Sequence, residues 1–568
     1  MGMREVVYTI KVYRYERRKN MKKKKILALF LVAAMTVSVF TACGQADSGS
    51  NVSESASDDA AGAVSDPSES ASDISETDSN VSEGVPSQTL VIGSNGTAMT
   101  KIDRWDGTGV PEDDTSFMIF DYLVWSDHAQ NFTPMLATSW EESDDHLTFT
   151  FHLREDAYFT DGTQETSADV KASFERPVQD ETLKDHSTWL GIASMECPDD
   201  FTFVLTLNDP MPTFWDELAR VPIISKAAFE ADPDNYLSDP AALIAAGPYK
   251  LEDFDKTTGE ATVVYNSDWW GWSNGFSTNV GTITYKTIAE ESTRVAALQA
   301  GNIDVAYGLS LNSAQQLEND GNVTVEQVRS DIQPIIQVNC GEGSPFADKN
   351  MRLALSYAID RETIVNDIVG CGYAMDNAIF ETYLGYTPNY EYAYKYDPDL
   401  AEQCLEEAGY DGSEIVLTYS PDDFSQADEI AQAIQYMANA VGFNVVLNSV
   451  DGAQSRTLMD AAAYDIMYTG WGNTSGDPYK VFTMWAVDKW NNQYDNDEFL
   501  DLCQRICDNG DREERIQLME EAFQIVTAEV APRISLYQQA TFVAYDSGIS
   551  GINFYADGSA ALPFVTRE

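Results

Sequence analysis

The sequence predicts an α/β protein of more than one lobe, its sheets covered by helices. Three observations predict it. The chain has 568 residues, more than one ordinary domain of roughly 100–200 residues accommodates. Its residues are 43% apolar and 11% aromatic, enough to build large cores. From Gln88 onward, short runs with strand periodicity alternate with stretches of helical periodicity.

The elements follow in order. Residues 89–93 read as a short buried strand. Residues 147–153 alternate, with Phe149, Phe151 and Leu153 on one face and Thr148, Thr150 and His152 on the other. That makes His152 a solvent-face strand residue rather than a ligand. Thr160-Asp161-Gly162-Thr163 is a turn, and Ser167-Ala168-Asp169 caps a helix through Val170 and Phe174. Residues 292–300 form a helix closed by Gly301, and 303–306 return as a strand. Residues 349–359 are amphipathic, with Leu353, Ala354, Tyr357 and Ala358 on one side. A helix over 400–408 ends at Gly409. Another over 427–440 ends near Gly442 and leads to a strand over 444–447. A longer helix over 512–530 leads to a strand over 534–537. There is no short internal repeat.

Ahead of this lies an address. Lys22 to Lys25 precede an apolar run from Ile26 to Ala42, the layout of an export signal. The run ends Phe40-Thr41-Ala42-Cys43-Gly44, which resembles a bacterial lipobox and makes Cys43 the expected lipidated first residue. Residues 1–20 are read as an upstream extension, with translation expected to start at Met21, and 21–42 as the signal. Residues 43–88 are then a tether. The stretch 44–88 has ten acidic residues, thirteen serines and no Lys or Arg, a composition that cannot bury enough apolar surface to offset ordering entropy.

The chain carries 35 Lys+Arg against 92 Asp+Glu, a net charge of −57. Without residues 1–42 the balance is 25 against 90, or −65. Nucleic acid is excluded as a partner by repulsion over most of the surface. The apolar runs of a polytopic membrane protein are missing. Four histidines, all between His128 and His186, argue against a His-rich metal site, and no metal or cofactor is expected. Six cysteines beyond Cys43 include no CxxC pair. They are read mostly as buried small hydrophobes, with room for one bridge; Cys503 and Cys507 share a helix face.

Several segments together resemble the extracellular solute-binding proteins of ABC importers, in the peptide/nickel-binding class (family 5). They include Pro134-Met135-Leu136-Ala137-Thr138-Ser139-Trp140-Glu141, Thr148 to Arg154, Phe159-Thr160-Asp161-Gly162 and Ala168-Asp169-Val170-Lys171-Ala172-Ser173-Phe174. Further matches are Gly247-Pro248-Tyr249, Trp269-Trp270, Leu298-Gln299-Ala300-Gly301-Asn302-Ile303-Asp304, Tyr357-Ala358-Ile359-Asp360-Arg361 and Glu407-Ala408-Gly409-Tyr410. The resemblance implies a two-lobed periplasmic-binding-protein-like fold (type II, cluster C) that closes on ligand. It places the first lobe at about 89–337 and 534–568, with an extra domain at about 119–243, and the second lobe at about 338–533. It also implies an ABC permease as partner, a membrane surface reached through the lipid, and a monomer.

The resemblance also points to site residues. Gly109-Val110-Pro111-Glu112 resembles the segment that lends backbone hydrogen bonds to an extended ligand. In peptide-binding relatives a motif reads Gly-Trp, two residues, Asp, then later Asp-Pro, the Asp pairing with the peptide's amino terminus. Here it is Gly470-Trp471-Gly472-Asn473-Thr474-Ser475-Gly476-Asp477-Pro478. Thr474 stands at the Asp, and Tyr468 stands where oligopeptide binders place an arginine. A hydroxyl is a weak partner for an ammonium. The expected ligand-binding residues are therefore Gly109, Val110, Trp471, Gly472, Asn473, Thr474 and Asp477. Trp471 serves either as cleft wall or as lobe packing. Asp477 either holds a cation or caps the helix from Pro478, and the cap is the expected role. Trp269, Trp270 and Trp272 are expected to be structural.

The expected function is capture of a small solute for a permease, with a peptide as class default and a nickel chelate or oligosaccharide as alternatives. An exported hydrolase competes, but there is no G-x-S-x-G or HExxH motif; carboxylates are too many to exclude a glycosidase-like pair. A surface sensor without transport is the third reading.

Overall fold

The computed structural model describes residues 85–105, 110–126, 131–387, 395–472, 476–486, 493–530, 532–555 and 558–568. The expected export signal, Cys43 and nearly all of the expected tether lie outside them. The fold is α/β and two-lobed, built on three principal sheets.

The first sheet has seven strands. Gln88–Ser94 lies at its centre, parallel to both Val280–Thr287 and Val305–Leu309. Glu260–Tyr265 and Tyr249–Asp255 extend one edge in antiparallel fashion. Ala540–Asp546 and Val323–Arg329 extend the other. A second sheet is antiparallel, in the order Ala137–Glu142, Thr148–Leu153, Thr202–Leu207, Ile192–Asp199. The alternation read from sequence holds in Thr148–Leu153: Phe149, Phe151 and Leu153 are buried. They pack with Phe174, Phe203 and Phe214, the ring of Phe149 stacking 3.8 Å from that of Phe214. His152 faces outward near Glu141.

The third sheet has five strands in the order Val445–Ser449, Ile415–Tyr419, Ile466–Gly472, Ile332–Val338, Arg533–Ser535. The first three are parallel and the last two antiparallel to their neighbours. The chain crosses between the seven- and five-stranded sheets twice. Val323–Arg329 passes through Ser330 and Asp331 into Ile332–Val338, and Arg533–Ser535 passes through residues 536–539 into Ala540–Asp546. The crossings are bonded to each other: Ser330 N donates to Gln539 O at 2.8 Å, and Gln539 N to Ile332 O at 3.0 Å. Gln538 Nε2 donates to Ser330 O at 2.9 Å.

Several expected boundaries move. The strand expected over 534–537 is two strands. Leu536 keeps the register and donates its N–H to Pro334 O, but Pro334 has no N–H to return the bond, and Tyr537–Gln538 pairs with Tyr373–Ala374. The strand expected from 303 begins at Val305, because the Asp304 carboxylate takes the N–H of Val91 at 2.7 Å in place of a ladder carbonyl. The helix expected from Ser167 is capped one residue earlier, where the Asp169 carboxylate accepts from both N and Oγ1 of Thr166. Pro398–Ala408 starts two residues early because Asp397 caps Leu400 N and proline suits the first helical position. Lys349–Ala358 buries more than the expected stripe: Met351, Arg352 and Leu355 are interior, while Leu353 is only partly covered. All six described cysteines are free thiols, four of them buried, including Cys503 and Cys507.

The tryptophan group seals the joint between the first two sheets. Trp269 Nε1 and Trp270 Nε1 donate to the two carboxylate oxygens of buried Asp121, at 2.8 and 2.6 Å. The Arg154 guanidinium lies 3.4 Å over the Trp270 ring. Glu165 is fully buried nearby. Burial pushes the Asp121 carboxyl up to about 7 against the indole bonds that lower it. Burial and then the charge of Asp121 push Glu165 well above its ordinary value. Carboxyls whose folded pKa is raised stabilise the protein at low pH, and that contribution fades as pH rises through the folded value. Glu165→Gln, which keeps shape and removes titration, should therefore gain on wild type as pH rises from 5 to 8, measured by urea unfolding. A constant difference across that range would show that Glu165 is ionised in the folded protein as it is in the unfolded one, so that its carboxyl is not raised.

Candidate functional site

The topology of the five-stranded sheet sets the site. From Ile415–Tyr419 the chain crosses through helix Ala427–Ala440 to Val445–Ser449 on one side. It then returns through helix Gly452–Asp460 to Ile466–Gly472 on the other side. Strand order thus reverses between Ile415–Tyr419 and Ile466–Gly472, and ligands of open α/β sheets bind outside the carboxyl ends of the strands at such a point. A cavity of about 500 Å³ opens there, with Phe424, Met459, Trp471 and Met484 as apolar wall and Asp423 and Arg456 as charged lining. Gly470 is required by this wall. A Cβ at Gly470 would lie 2.2 Å from Cζ of Phe424, so any side chain would push that ring off the sheet.

Trp471 is half-buried and fixed from the crossing strand. It pairs in register with Gln333, and its Nε1 donates to Gln333 Oε1 at 3.1 Å. Buried Gln333 in turn donates to Ser535 Oγ at 2.8 Å and to Ala378 O at 3.1 Å. The indole is therefore held by both segments that run into the crossings, and it both packs against the core and lines the cavity.

Asp477 is tied to a residue the sequence did not single out. Arg515, on helix Arg512–Glu529, donates through Nη1 to Oδ2 at 2.6 Å and through Nη2 to Oδ1 at 2.8 Å. Both side chains are 2% exposed. Asp477 Oδ1 also accepts from Tyr479 N at 2.9 Å, so the capping role is present, joined to a buried ion pair. Arg515 Nη1 further donates to Pro212 O at 3.3 Å, linking the five-stranded sheet's helices to the body of the four-stranded sheet. A Cβ at neighbouring Gly510 would lie 2.5 Å from Cβ of His146, so the two bodies touch there.

The structure brings Trp471 and Gly472 to the cavity and sets Asp477 behind it in a seam. Val110 opens the helix Val110–Ile119, so Pro111 and Glu112 belong to its first turn. That turn offers N–H groups without intrahelical partners rather than an extended ladder. Gly109, Asn473 and Thr474 lie outside the described residues. Sequence reading missed Asp423, Phe424 and Arg456, which carry no motif; strand order alone could have located them. It also missed Gln333, one of two buried glutamines, with Gln337, in the strand Ile332–Val338. Among the described residues no group of three or more His, Cys, Asp or Glu gathers to hold a metal.

Comparison with known proteins agrees with this architecture. The model of the family described as bacterial extracellular solute-binding proteins, family 5 (middle) matches residues 131–493, and the chain belongs to that family. Among individual relatives, the chain is 27% identical over 478 residues to the glutathione-binding protein GsiB of Escherichia coli O1:K1, covering 81% of this chain and 91% of the relative. It superposes on the periplasmic murein tripeptide binding protein MppA in its unliganded open form with a TM-score of 0.76, at 22% identity, covering 85% of this chain and 98% of the other. It also superposes on DppA from Helicobacter pylori, an ABC transporter-associated periplasmic binding protein in complex with the peptide STSA. There the TM-score is 0.61 at 24% identity, covering 84% and 98%.

Removing one partner of a buried ion pair strands the other charge and costs about 3–5 kcal/mol. Asp477→Ala should lower unfolding stability in urea by that amount, and Asp477→Leu combined with Arg515→Met should lower it less. A double variant as unstable as the sum of its singles would show that the two side chains act separately.

Proposed function

We propose that this chain is the substrate-binding lipoprotein of an ABC importer. It captures a small solute between its lobes and passes it to the permease. Family membership supports the solute-binding reading, and the observation that carries it is the cavity at the sheet's switch point, walled by Trp471 and placed beside the paired crossings. The first lobe is taken as about 89–337 and 534–568, with the extra domain at about 119–243, and the second as about 338–533. Closure follows from ligand contacting both lobes at once, which selects the closed arrangement. A peptide is the expected solute: the names of the relatives above speak of glutathione, a murein tripeptide and the peptide STSA. Gly109, Val110, Trp471, Gly472, Asn473, Thr474 and Asp477 remain the segments expected to meet or frame it. The chain acts as a monomeric binder rather than an enzyme, and turnover of a bound solute would overturn that.

The lipobox-like stretch supports anchoring through Cys43, with residues 44–88 as the tether. Cys43→Ala should move the protein from the membrane fraction to the soluble one and abolish palmitate incorporation; a variant that stays with the membrane would refute the anchor.

Thermal unfolding of the intact chain should be scanned against dipeptides, oligopeptides, nickel complexes and oligosaccharides. A ligand at 100 times its dissociation constant adds about 2.7 kcal/mol, a shift of roughly a few degrees. Trp471→Ala should weaken binding of the solute that shifts wild type while leaving unliganded unfolding nearly unchanged. Equal affinity would remove Trp471 from the site, and no shift with any class would refute solute capture.

A further inference from the structure

The seven-stranded sheet reaches the five-stranded one with a side chain as well as with backbone. Arg329 ends the strand Val323–Arg329 and pairs in register with Ala540, immediately before the crossing at Ser330. Its guanidinium lies 3.7 Å over the ring of Tyr373. Its Nη1 donates to Gln538 Oε1 at 2.8 Å, and its Nη2 lies 2.6 Å from the Glu381 carboxylate. These partners belong to different parts of the molecule. Gln538 is in the second crossing, where its Nε2 already bonds Ser330 O. Tyr373–Ala374 is paired to that crossing. Glu381 follows Phe380, which is buried in the core around the five-stranded sheet.

A partly exposed ion pair is ordinarily a surface feature worth little. Three observations set this one apart. The guanidinium is held on three sides, by a ring face, by an amide oxygen that is itself fixed, and by a carboxylate. Basic residues are scarce, 35 against 92 acidic, yet one is stationed at the crossing. Its side chain also reaches away from the line about which the lobes bend. The bonds from Ser330 N to Gln539 O and from Gln539 N to Ile332 O lie on that line, so bending leaves them intact. The contact from Arg329 to Glu381 is off the line, and at 2.6 Å it cannot shorten. Bending can only lengthen it or slide it apart.

The clasp is made while the cavity is uncovered. Every described residue that lines the cavity comes from the five-stranded sheet or from its helices and loops, so the opposing lobe does not close over it.

We propose that Arg329 sets the affinity for solute from the hinge without touching the solute: its clasp on Tyr373, Gln538 and Glu381 holds the cleft uncovered, and closure parts Arg329 from Glu381. This rests on the solute-capture reading. When the closed arrangement is the one that binds, apparent affinity is reduced by the fraction of protein that is closed, so weakening the clasp tightens binding. Arg329 is thus a positioning residue, and its loss acts with the opposite sign to the loss of a ligand contact.

The test compares the intact chain as wild type, Arg329→Met, Arg329→Lys, Glu381→Gln and the Arg329→Met, Glu381→Gln double variant. In small-angle scattering without ligand, Arg329→Met and Glu381→Gln should have a smaller radius of gyration than wild type. Arg329→Lys, which keeps the charge, should stay near wild type. In calorimetric titration with glutathione and trialanine, Arg329→Met and Glu381→Gln should bind about two- to tenfold more tightly than wild type. The double variant should bind like Arg329→Met, because the pair is then already broken. The gain of Glu381→Gln should shrink in about 1 M salt, where charges are screened beyond roughly 3 Å. Unchanged compaction with unchanged affinity would overturn the clasp and leave solute capture standing. Weaker binding by both variants would place the contact in the closed arrangement and overturn the proposal. Compaction without tighter binding would overturn it too, as a tie uncoupled from capture. If neither peptide binds wild type, the peptide reading fails, and the scattering comparison alone decides the clasp. If Arg329→Met does not fold, Glu381→Gln decides, since that side chain is 54% exposed and its replacement keeps its shape.

Discussion

Everything else in this structure hangs on the two crossings being hydrogen-bonded to each other. A single crossing would leave the lobes joined by a swivel. Two crossings, locked through Ser330 N to Gln539 O and Gln539 N to Ile332 O, restrict relative motion to bending about one line. The bonds are backbone to backbone, so they depend on register rather than on particular side chains. The same register carries outward. Ile332 pairs with Gly472 and Gln333 with Trp471, so the strand that leaves the crossing is the strand that holds the cavity wall. Position of the crossing and position of the ligand surface are one geometric fact.

The acidic composition constrains how the interior is tied together. Basic residues are scarce, and among the described residues six arginines are buried: Arg104, Arg294, Arg352, Arg361, Arg515 and Arg533. A buried guanidinium is tolerable only with its donors satisfied. Arg294 spends its donors on the carbonyls of Ile288, Ala289, Tyr307 and Gly308. Arg352 reaches Phe346 O, Ala347 O and Glu529. The result is a strongly negative chain whose interior is stapled by cations.

The sheet elements were largely legible because their information is local. Alternation in Thr148–Leu153 and the glycine after Pro398–Ala408, with its φ of 66°, are periodic or steric signals within a few residues. The errors came where a distant partner decided the outcome. The strand stops at Leu536 because Pro334 opposite it has no N–H to donate, and residues 303–304 stay out of theirs because an aspartate side chain replaces the ladder. The site was legible only where a motif marked it. Trp471 stood in one. Asp423 and Arg456 did not, since a lone charge in a loop or on a helix reads as solvated face. Arg515 was hidden in a helix whose first turn is acidic, and only the fold reveals that it points inward to Asp477.

The division of residues around the cavity also constrains the mechanism of closing. All of its charged and apolar lining belongs to the five-stranded sheet and its helices, with Ile332 at the crossing. A solute seated there alone would bind the open and closed arrangements equally and would shift no population, however tight the binding. Affinity and closure must therefore be supplied by different surfaces. The cavity with Trp471 supplies the first. The second has to come from groups on the opposing lobe that meet the solute only when the crossings bend, and the seam where Arg515 already reaches Pro212 O fixes how close that approach is.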